Sequence, residues 1–301
     1  MKLLHLVNPV NVPKSHELHK AQPITFESMR RAKQFTDNEA VEIVLTSTQF
    51  AENKEITPGS FVQLSNLTRS VKDINPALKG RKLPLLIDIL HKSKEVENVD
   101  YIIYTNVDIG LMPYFYDTIE RKIKKGHDAI IINKRRLTSN FKSVSELPEI
   151  YANLGKSHPG FDCFVFKASL LEKLVLDDIC IGVPFSGVSL LHNLIALSEN
   201  PLTLTGSHLT FHIGMNVLGF EKSNFYEHNR NVYFTKIYPE LKNQYDLKKF
   251  PYYKEGRLKR GIKWILNPSL FTVDYLNLEG KSNWQKVKLK LDEIRWRVLQ
   301  R

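Results

Sequence analysis

The first 135 residues alternate between short apolar runs and segments with helical spacing, and this alternation most constrains the fold. The apolar runs have the length of buried strands and cover residues 3–7, 41–47, 100–106 and 128–134. The segments with helical spacing between them cover residues 25–35, 83–93 and 113–126, and Pro84 is at a plausible first helical position. Repeated strand–helix–strand units predict a mostly parallel sheet that helices cover on both faces.

The third strand, DYIIYTN, ends on Asn106-Val107-Asp108. Ligands of parallel α/β sheets bind outside the carboxyl ends of the strands, which is where Asp108 falls. Asp108 therefore either begins a plain turn before Gly110 or holds a charged ligand. Asn106 is equally typical of a residue that forms an Asx turn. The strand pattern alone leaves both interpretations open.

The chain beyond residue 135 continues the alternation less regularly. Residues 136–160 are polar and predict an irregular loop on the substrate side, ending in SHPG. A strand is expected at 161–166, helices at 168–176 and 186–197, and late strands between Pro201 and Gly214, of which the last ends on His212. After about Glu221 the composition shifts to Lys, Tyr and Asn. We therefore divide the chain into a main domain, 1–220, and a C-terminal extension, 221–301.

The net charge of +11 is concentrated in that extension. Residues 221–301 contain 18 Lys or Arg and 9 Asp or Glu, whereas residues 1–220 carry a net charge of only +2. A nucleic-acid-binding protein would more naturally carry its positive charge on the core fold, so we expect no nucleic-acid partner. The N-terminal segment is interrupted by Asn8 and Pro9 and does not resemble a signal peptide. With two cysteines in apolar surroundings, the sequence is typical of a cytoplasmic protein.

Several common site motifs are missing from the sequence. It contains no G-x-G-x-x-G after the first strand, no G-x-x-x-x-G-K-[ST], no C-x-x-C and no H-E-x-x-H. What remains are two strand ends with side chains that can bind a metal, Asp108 and His212. One carboxylate and one imidazole from neighbouring strands suit Mn²⁺ or Mg²⁺, because substrate phosphates and water complete the shell of such a cation.

Four segments, taken in order, resemble the GT-A-fold glycosyltransferases, which use nucleotide sugars. They are a basic helix entrance at Arg81-Lys82-Leu83-Pro84, the acidic strand end NVD, the segment HPGFD and the late strand end FHIG. The resemblance covers roughly residues 1–215 and identifies neither a subfamily nor a sugar. It implies a GT-A-like, Rossmann-type α/β fold with a mostly parallel sheet flanked by helices. The C-terminal extension would be mainly helical and basic.

The resemblance also implies roles for residues on the donor side. Asp108 and His212 would bind the metal, and Asn106 would contact the ribose or the metal. The family motif is Asp-x-Asp, so Asn106 supplies one negative charge fewer than the usual residue. Lys82 and Arg69 would contact the diphosphate or the base of a nucleoside diphosphate sugar.

On the acceptor side the same resemblance implies a general base and a wall for the acceptor. Asp162 would act as the base on the acceptor hydroxyl, and His158 and Gly160 would contact the acceptor within the segment 157–160. The stretch IGVPFSG, where some relatives carry an acidic base, has none. The stereochemical course, inverting or retaining, therefore stays open. The expected activity is transfer of a hexose-like sugar to a glycan or lipid-linked acceptor.

Other interpretations stay open beside this one. His212 could be a satisfied core histidine, and Lys82 could be a solvated lysine at a helix start. A nucleotidyltransferase on a related sheet is a second class, although NPVNVPKSHELHK lacks the Gly- and Arg-rich loop such an enzyme needs after its first strand. A non-catalytic protein that binds a glycan or a partner is a third class, and Asn106 favours it.

The extension contains two basic segments with amphipathic spacing, GRLKRGIKWIL and SNWQKVKLKLDEIRWRVLQR. Their apolar residues either pack on the protein's own core or lie on an anionic membrane surface. Membrane contact would suit a lipid-linked acceptor and would place the protein at the inner membrane surface. The sequence alone does not decide between these two environments.

Overall fold

The structure, a computed structural model, describes residues 1–36, 38–137, 140–214 and 224–266. Nine strands in these residues form one sheet. They are β1 (Lys2–Val7), β2 (Glu42–Ser47), β3 (Val62–Gln63), β4 (Tyr101–Thr105), β5 (Ile109–Leu111), β6 (Ala129–Arg136), β7 (Lys156–Lys167), β8 (Pro201–Leu204) and β9 (Thr210–His212). The α-helices are α1 (Leu18–Phe35), α2 (Val71–Ile74), α3 (Leu86–His91), α4 (Phe115–Lys124), α5 (Leu147–Ala152), α6 (Ser186–Leu197), α7 (Asn224–Val232), α8 (Tyr238–Leu241) and α9 (Arg257–Leu266).

The sheet has the order β3-β2-β1-β4-β7-β6-β9-β5, with β8 paired to β6. The strands β1, β2, β3 and β4 are parallel to their neighbours in this part of the sheet, and β6 is parallel to β8 and β9. Strand β7 is antiparallel to both β4 and β6. This arrangement is the mostly parallel, helix-covered sheet that the resemblance to GT-A-fold enzymes implies. The expected fold class is therefore confirmed.

Apolar side chains of the central strands are divided between two cores, one on each face of the sheet. In β1, Leu4 and Leu6 belong to one core, whereas Leu3 and Val7 belong to the other. All four side chains are fully buried. Because successive side chains of a strand point to opposite faces, only a strand covered on both faces has such a continuous apolar sequence. Each buried Leu or Val contributes about 1.5–3 kcal/mol relative to an exposed one.

The structure differs from the predicted elements at three places. Helix α1 begins at Leu18 rather than near Thr25, because the side chain of Gln22 bonds to both the N–H and the C=O of Val10 and ties the first turns to the loop after β1. The expected loop 136–160 contains helix α5 and the first residues of β7. The helix expected at 168–176 is only a 3₁₀ segment, Ala168–Lys173.

The described part of the C-terminal extension packs on the main domain. Tyr233, Ile237, Leu241 and Phe250 are buried in the same core as the apolar face of α6. The apolar residues of this part therefore extend the core rather than form a separate one. The proposed boundary at residue 220 and the basic segment 282–301 lie outside the described residues, and the division into 1–220 and 221–301 stays a prediction.

Candidate active site

The end of strand β4 is followed at once by another strand, which explains why the apolar run stops on an acidic residue. Strand β5 begins at Ile109 and pairs antiparallel with β9, so that Ile109 lies opposite His212. The backbone C=O of Asp108 accepts a hydrogen bond from the N–H of Ile213 at 3.0 Å. This backbone pairing places the side chain of Asp108 beside that of His212. Asp108 therefore lies in a turn that leads directly into the pairing of β5 with β9.

Gly110 permits this pairing. A Cβ atom at position 110 would lie 2.3 Å from the ring of Phe211, and the ring belongs to a buried core. Since real Cβ contacts are never so short, any other residue would displace either the ring or strand β5. The glycine in NVDIG thus allows the close approach of β5 to β9 that brings Asp108 to His212.

The side chains of Asp108 and His212 are in direct hydrogen-bond contact. Oδ2 of Asp108 lies 3.0 Å from Nε2 of His212, whereas Nδ1 of His212 is buried without a hydrogen-bond partner among the described residues. Burial raises the pKa of Asp108, but the charges of His212 and Lys134 and the hydrogen bond from His212 outweigh burial and hold the pKa below its ordinary value. Asp108 is consequently a carboxylate at neutral pH.

The pair has the chemistry and spacing for a divalent cation. An octahedral Mg²⁺ with bonds of about 2.0–2.1 Å has adjacent ligand atoms about 3.0 Å apart, which matches the distance between Oδ2 and Nε2. In the described parts of the chain, no group of three or more His, Cys, Asp or Glu side chains is placed to hold a metal. A cation at this pair would therefore need most of its ligands from phosphate and water.

Asn106, the other polar residue of the strand end, lies in the same cleft. Its Oδ1 accepts a hydrogen bond from the hydroxyl of Tyr104 at 3.2 Å. Burial, with smaller effects of Asp108 and Asp162, raises the pKa of Tyr104, which stays a neutral donor. This bond uses one of the two lone pairs of the carbonyl oxygen, so both the oxygen and the amide nitrogen of Asn106 can meet a ligand.

The carboxylate expected on the acceptor side, Asp162, is paired with a lysine that sequence reasoning missed. Nζ of Lys134 on β6 lies 3.3 Å from Oδ2 of Asp162 on β7, and the two side chains are only 16% and 19% exposed. The sequence could have identified Lys134, because it directly follows the apolar run AIIIN just as Asp108 follows the apolar run of β4. Both residues line the cleft.

His158 is a neutral imidazole at physiological pH. Burial, followed by the nearby cations Lys134 and Arg136, lowers its pKa to about 3, and His212 adds to the shift. Its Nδ1 accepts a hydrogen bond from the N–H of Gly160 at 2.9 Å. With Nδ1 acting as acceptor, Nε2 carries the proton and can donate to a ligand.

The basic residues expected to meet a diphosphate are not equally placed. Lys82 lines the cleft, where its Nζ lies 4.0 Å from the centre of the Phe50 ring and 3.6 Å from a carboxylate oxygen of Glu52. Arg69 lies outside the residues that line the cleft. Its guanidinium donates two hydrogen bonds to Asp88, at 2.7 and 2.8 Å. The structure therefore brings Lys82, but not Arg69, to the site.

One cleft of about 440 Å³ collects the site residues at the carboxyl ends of β1, β4 and β6. Seven of the eight residues that the sequence singled out line it: Lys82, Asn106, Asp108, His158, Gly160, Asp162 and His212. Its volume lies within the range typical of small-molecule sites. The cleft can accommodate a ligand that meets a carboxylate–imidazole pair at one side and a carboxylate–ammonium pair at the other.

No family model matches the sequence, and no curated protein matches it. Among solved structures, residues 1–349 of S. aureus TarS in complex with UDP-GlcNAc align with 99% of this chain and 79% of their own at 12% identity and a TM-score of 0.49. Glucosyl-3-phosphoglycerate synthase from Mycobacterium tuberculosis, in complex with Mg²⁺ and UDP, aligns over 71% and 72% at 13% identity and a TM-score of 0.42. A putative glucose-1-phosphate thymidylyltransferase from Bacillus anthracis aligns over 68% and 87% at 10% identity and a TM-score of 0.39.

Proposed function

We propose that this protein is a glycosyltransferase that moves a hexose-like sugar from a nucleoside diphosphate sugar to a glycan or lipid-linked acceptor, assisted by Mn²⁺ or Mg²⁺. One observation carries the proposal: a single cleft holds a pair suited to a divalent cation, Asp108 and His212, and a separate carboxylate, Asp162. A donor diphosphate and an acceptor hydroxyl require these two kinds of group. Neither the pair of Asp108 and His212 nor Asp162 would support the assignment alone.

On the donor side, Asp108 and His212 would hold the cation and Lys82 would face the diphosphate. When bound, the cation neutralises the charge that develops on the leaving diphosphate. The bond from Tyr104 would orient the Asn106 amide, whose nitrogen would donate to a ribose hydroxyl. These residues bind and orient the donor.

On the acceptor side, Asp162 would take the proton of the acceptor hydroxyl, and the oxygen of that hydroxyl would form a bond to the anomeric carbon. The bond from that carbon to the diphosphate breaks, and the diphosphate leaves with the electron pair. The neutral His158 would donate a hydrogen bond to the acceptor rather than remove a proton, since a group with a pKa of about 3 is a weak base. The cleft leaves inversion and retention both open.

Peripheral contact with an anionic membrane belongs to the same proposal. In the described parts of the chain, no helix is both long and apolar enough to cross a bilayer. Helix α9 exposes 80% of Leu258 and 50% of Ile262, one turn apart, among four basic residues. Such a surface suits the interface of anionic lipids. Co-sedimentation with phosphatidylglycerol vesicles that is equal for wild type and the double variant Leu258→Ser, Ile262→Ser would rule out this contact.

A non-catalytic protein that binds a glycan remains the second candidate, and the contact between Lys134 and Asp162 favours it. A carboxylate that already contacts an ammonium is less accessible to an acceptor hydroxyl than an unpaired one. Metal-dependent hydrolysis of a donor sugar would separate an enzyme from such a binding protein.

The first test is thermal unfolding with UDP, GDP, CMP and dTDP, each with and without Mn²⁺. A ligand that binds only the folded state at a hundredfold excess over its Kd adds about 2.7 kcal/mol of stability. We expect one nucleotide to raise the Tm in the presence of Mn²⁺ and Asp108→Ala to abolish the increase. Asp88→Ala is the matched control, because Asp88 forms an ion pair with Arg69 away from the cleft. If no nucleotide raises the Tm of the wild-type protein, the transferase proposal is wrong.

A further inference from the structure

Lys134 is a largely buried cation with no assigned role in the chemistry above. Its side chain is 16% exposed, and its ammonium lies 3.3 Å from Oδ2 of Asp162. That oxygen is itself buried and accepts no hydrogen bond among the described residues, where its ion-pair partner within 4.0 Å is this ammonium. Lysine is rarely buried unless it is paired, because its charge is costly to remove from water. A buried lysine that lines a ligand cleft therefore calls for a functional explanation.

The ammonium lies in the same cleft as both aspartates. Lys134, Asp108 and Asp162 all line this cleft, and Lys134 contacts the carboxylate expected to act on the acceptor. A diphosphate whose oxygens share a cation with Asp108 would come close to the same ammonium.

The charges of the cleft favour an anionic ligand for Lys134. Because Asn106 replaces a carboxylate, Asp108 is the single negative charge offered to a divalent cation at the strand end. Metal binding there rests on fewer charged ligands than an Asp-x-Asp pair would provide. The ammonium of Lys134 in the same cleft supplies positive charge that does not depend on metal. Phosphate oxygens are good acceptors for such a charge-assisted hydrogen bond.

We propose that Lys134 is a diphosphate ligand of the donor: on donor binding its ammonium leaves Asp162 and contacts a phosphate oxygen, so that part of the donor affinity is independent of metal. The same movement frees the Asp162 carboxylate to face the acceptor hydroxyl. Donor binding would thereby prepare the acceptor side. This inference rests on the proposed transferase function.

The test is calorimetric titration of the full chain with UDP, GDP, CDP and dTDP, in EDTA and in Mn²⁺. We expect one nucleotide to bind in both conditions, more weakly in EDTA. Lys134→Gln should weaken binding in EDTA about tenfold, the factor that corresponds to 1.4 kcal/mol. Lys134→Arg should retain most of the affinity, and Asp162→Asn should strengthen binding in EDTA because the ammonium no longer has to leave a carboxylate.

Two further variants control this experiment. Lys94→Gln breaks an ion pair with Glu172 away from the cleft and should bind as the wild type does. Lys134→Gln alone leaves Asp162 buried without its partner, which can destabilise the fold. The double variant Lys134→Gln, Asp162→Asn contains neither charge and should show the same weak binding in EDTA as Lys134→Gln.

The outcomes separate this inference from the proposed function. Binding in Mn²⁺ with no binding in EDTA, or equal affinities of wild type and both Lys134→Gln variants in EDTA, would overturn the role of Lys134 and leave the transferase proposal standing. If no nucleotide binds in either condition, both proposals fail.

Discussion

The proposed donor side and the proposed acceptor side of the cleft each contain one aspartate, and the two aspartates contact different partners. Asp108 lies against an imidazole, His212, whereas Asp162 lies against an ammonium, Lys134. An imidazole can share a metal with a carboxylate, but an ammonium cannot bind metal and only neutralises its partner. Under the proposed function, these partners would suit the two residues to different tasks: Asp108 would hold a cation, and Asp162 would act on the acceptor once the ammonium has moved.

The backbones beneath the two pairs also differ. Asp108 and His212 are placed by a regular antiparallel register between β5 and β9. Lys134 and Asp162 come from β6 and β7, whose register shifts between Ile132 and Asn133 and again before Arg135. A bulge re-aims side chains locally and is frequent beside active sites. Regular strand pairing therefore positions the residues of the proposed donor side, whereas register shifts between β6 and β7 position those of the proposed acceptor side.

The largest expected effect is on the reaction rate when Asp162, on the proposed acceptor side, is replaced. Asp162→Asn should lower the rate of donor hydrolysis, in which water replaces the acceptor, by about 10²–10⁴-fold, because removing a general base has effects of that size. Donor affinity in Mn²⁺ should not fall. Steady-state kinetics with calorimetric Kd values measures both quantities. A parallel loss of affinity and rate would mean that Asp162 binds the donor, and the two sides would no longer be distinct.

A second experiment disturbs the donor side through its backbone. Gly110→Ala should destabilise the protein by about 1–3 kcal/mol, since the added Cβ would meet the Phe211 ring at 2.3 Å. It should also weaken Mn²⁺-dependent nucleotide binding by displacing Asp108 from His212. Urea unfolding and calorimetry measure the two effects. Gly206→Ala is the control, because nothing lies within 4 Å of a Cβ atom there. Unchanged stability of Gly110→Ala would show that β5 is not set by this contact.

The sequence was informative where function coincides with a strand end. The stretch NVD follows an apolar run and FHIG ends a segment of alternating polar and apolar residues, so the position of Asp108 and His212 at strand ends could be predicted before their contact was known. Their direct contact could not, because β5 is only three residues long and no periodicity marks it. The antiparallel direction of β7 was likewise hidden, since a buried strand has the same apolar pattern in either direction.

Lys134 and Arg69 show what a pattern of residue types cannot provide. Lys134 falls 28 positions before Asp162 in the sequence, and only the shifted register of β6 and β7 brings the two together. Arg69 precedes a basic helix entrance and was expected at the diphosphate, but Asp88 binds it away from the cleft. Which cation meets which carboxylate depends on tertiary packing. Local sequence does not encode that choice.

The smallest effect concerns pH and the neutral imidazole of the acceptor side. The pKa of His158 is about 3 in the folded protein and about 6.5 in an unfolded chain, so the unfolded chain binds more protons between these values. The stability contributed by the neutral form is complete above pH 6.5 and is lost as the pH falls toward 3. His158→Gln should therefore reduce the loss of unfolding free energy between pH 7 and pH 5 by about 2 kcal/mol. Urea unfolding at the two pH values measures the difference, and His5, whose pKa is also about 3, contributes equally to wild type and variant. An unchanged difference would show that the cleft does not lower the pKa of His158, and His158 would then gain a proton beside Lys134 and Arg136 below about pH 6.5.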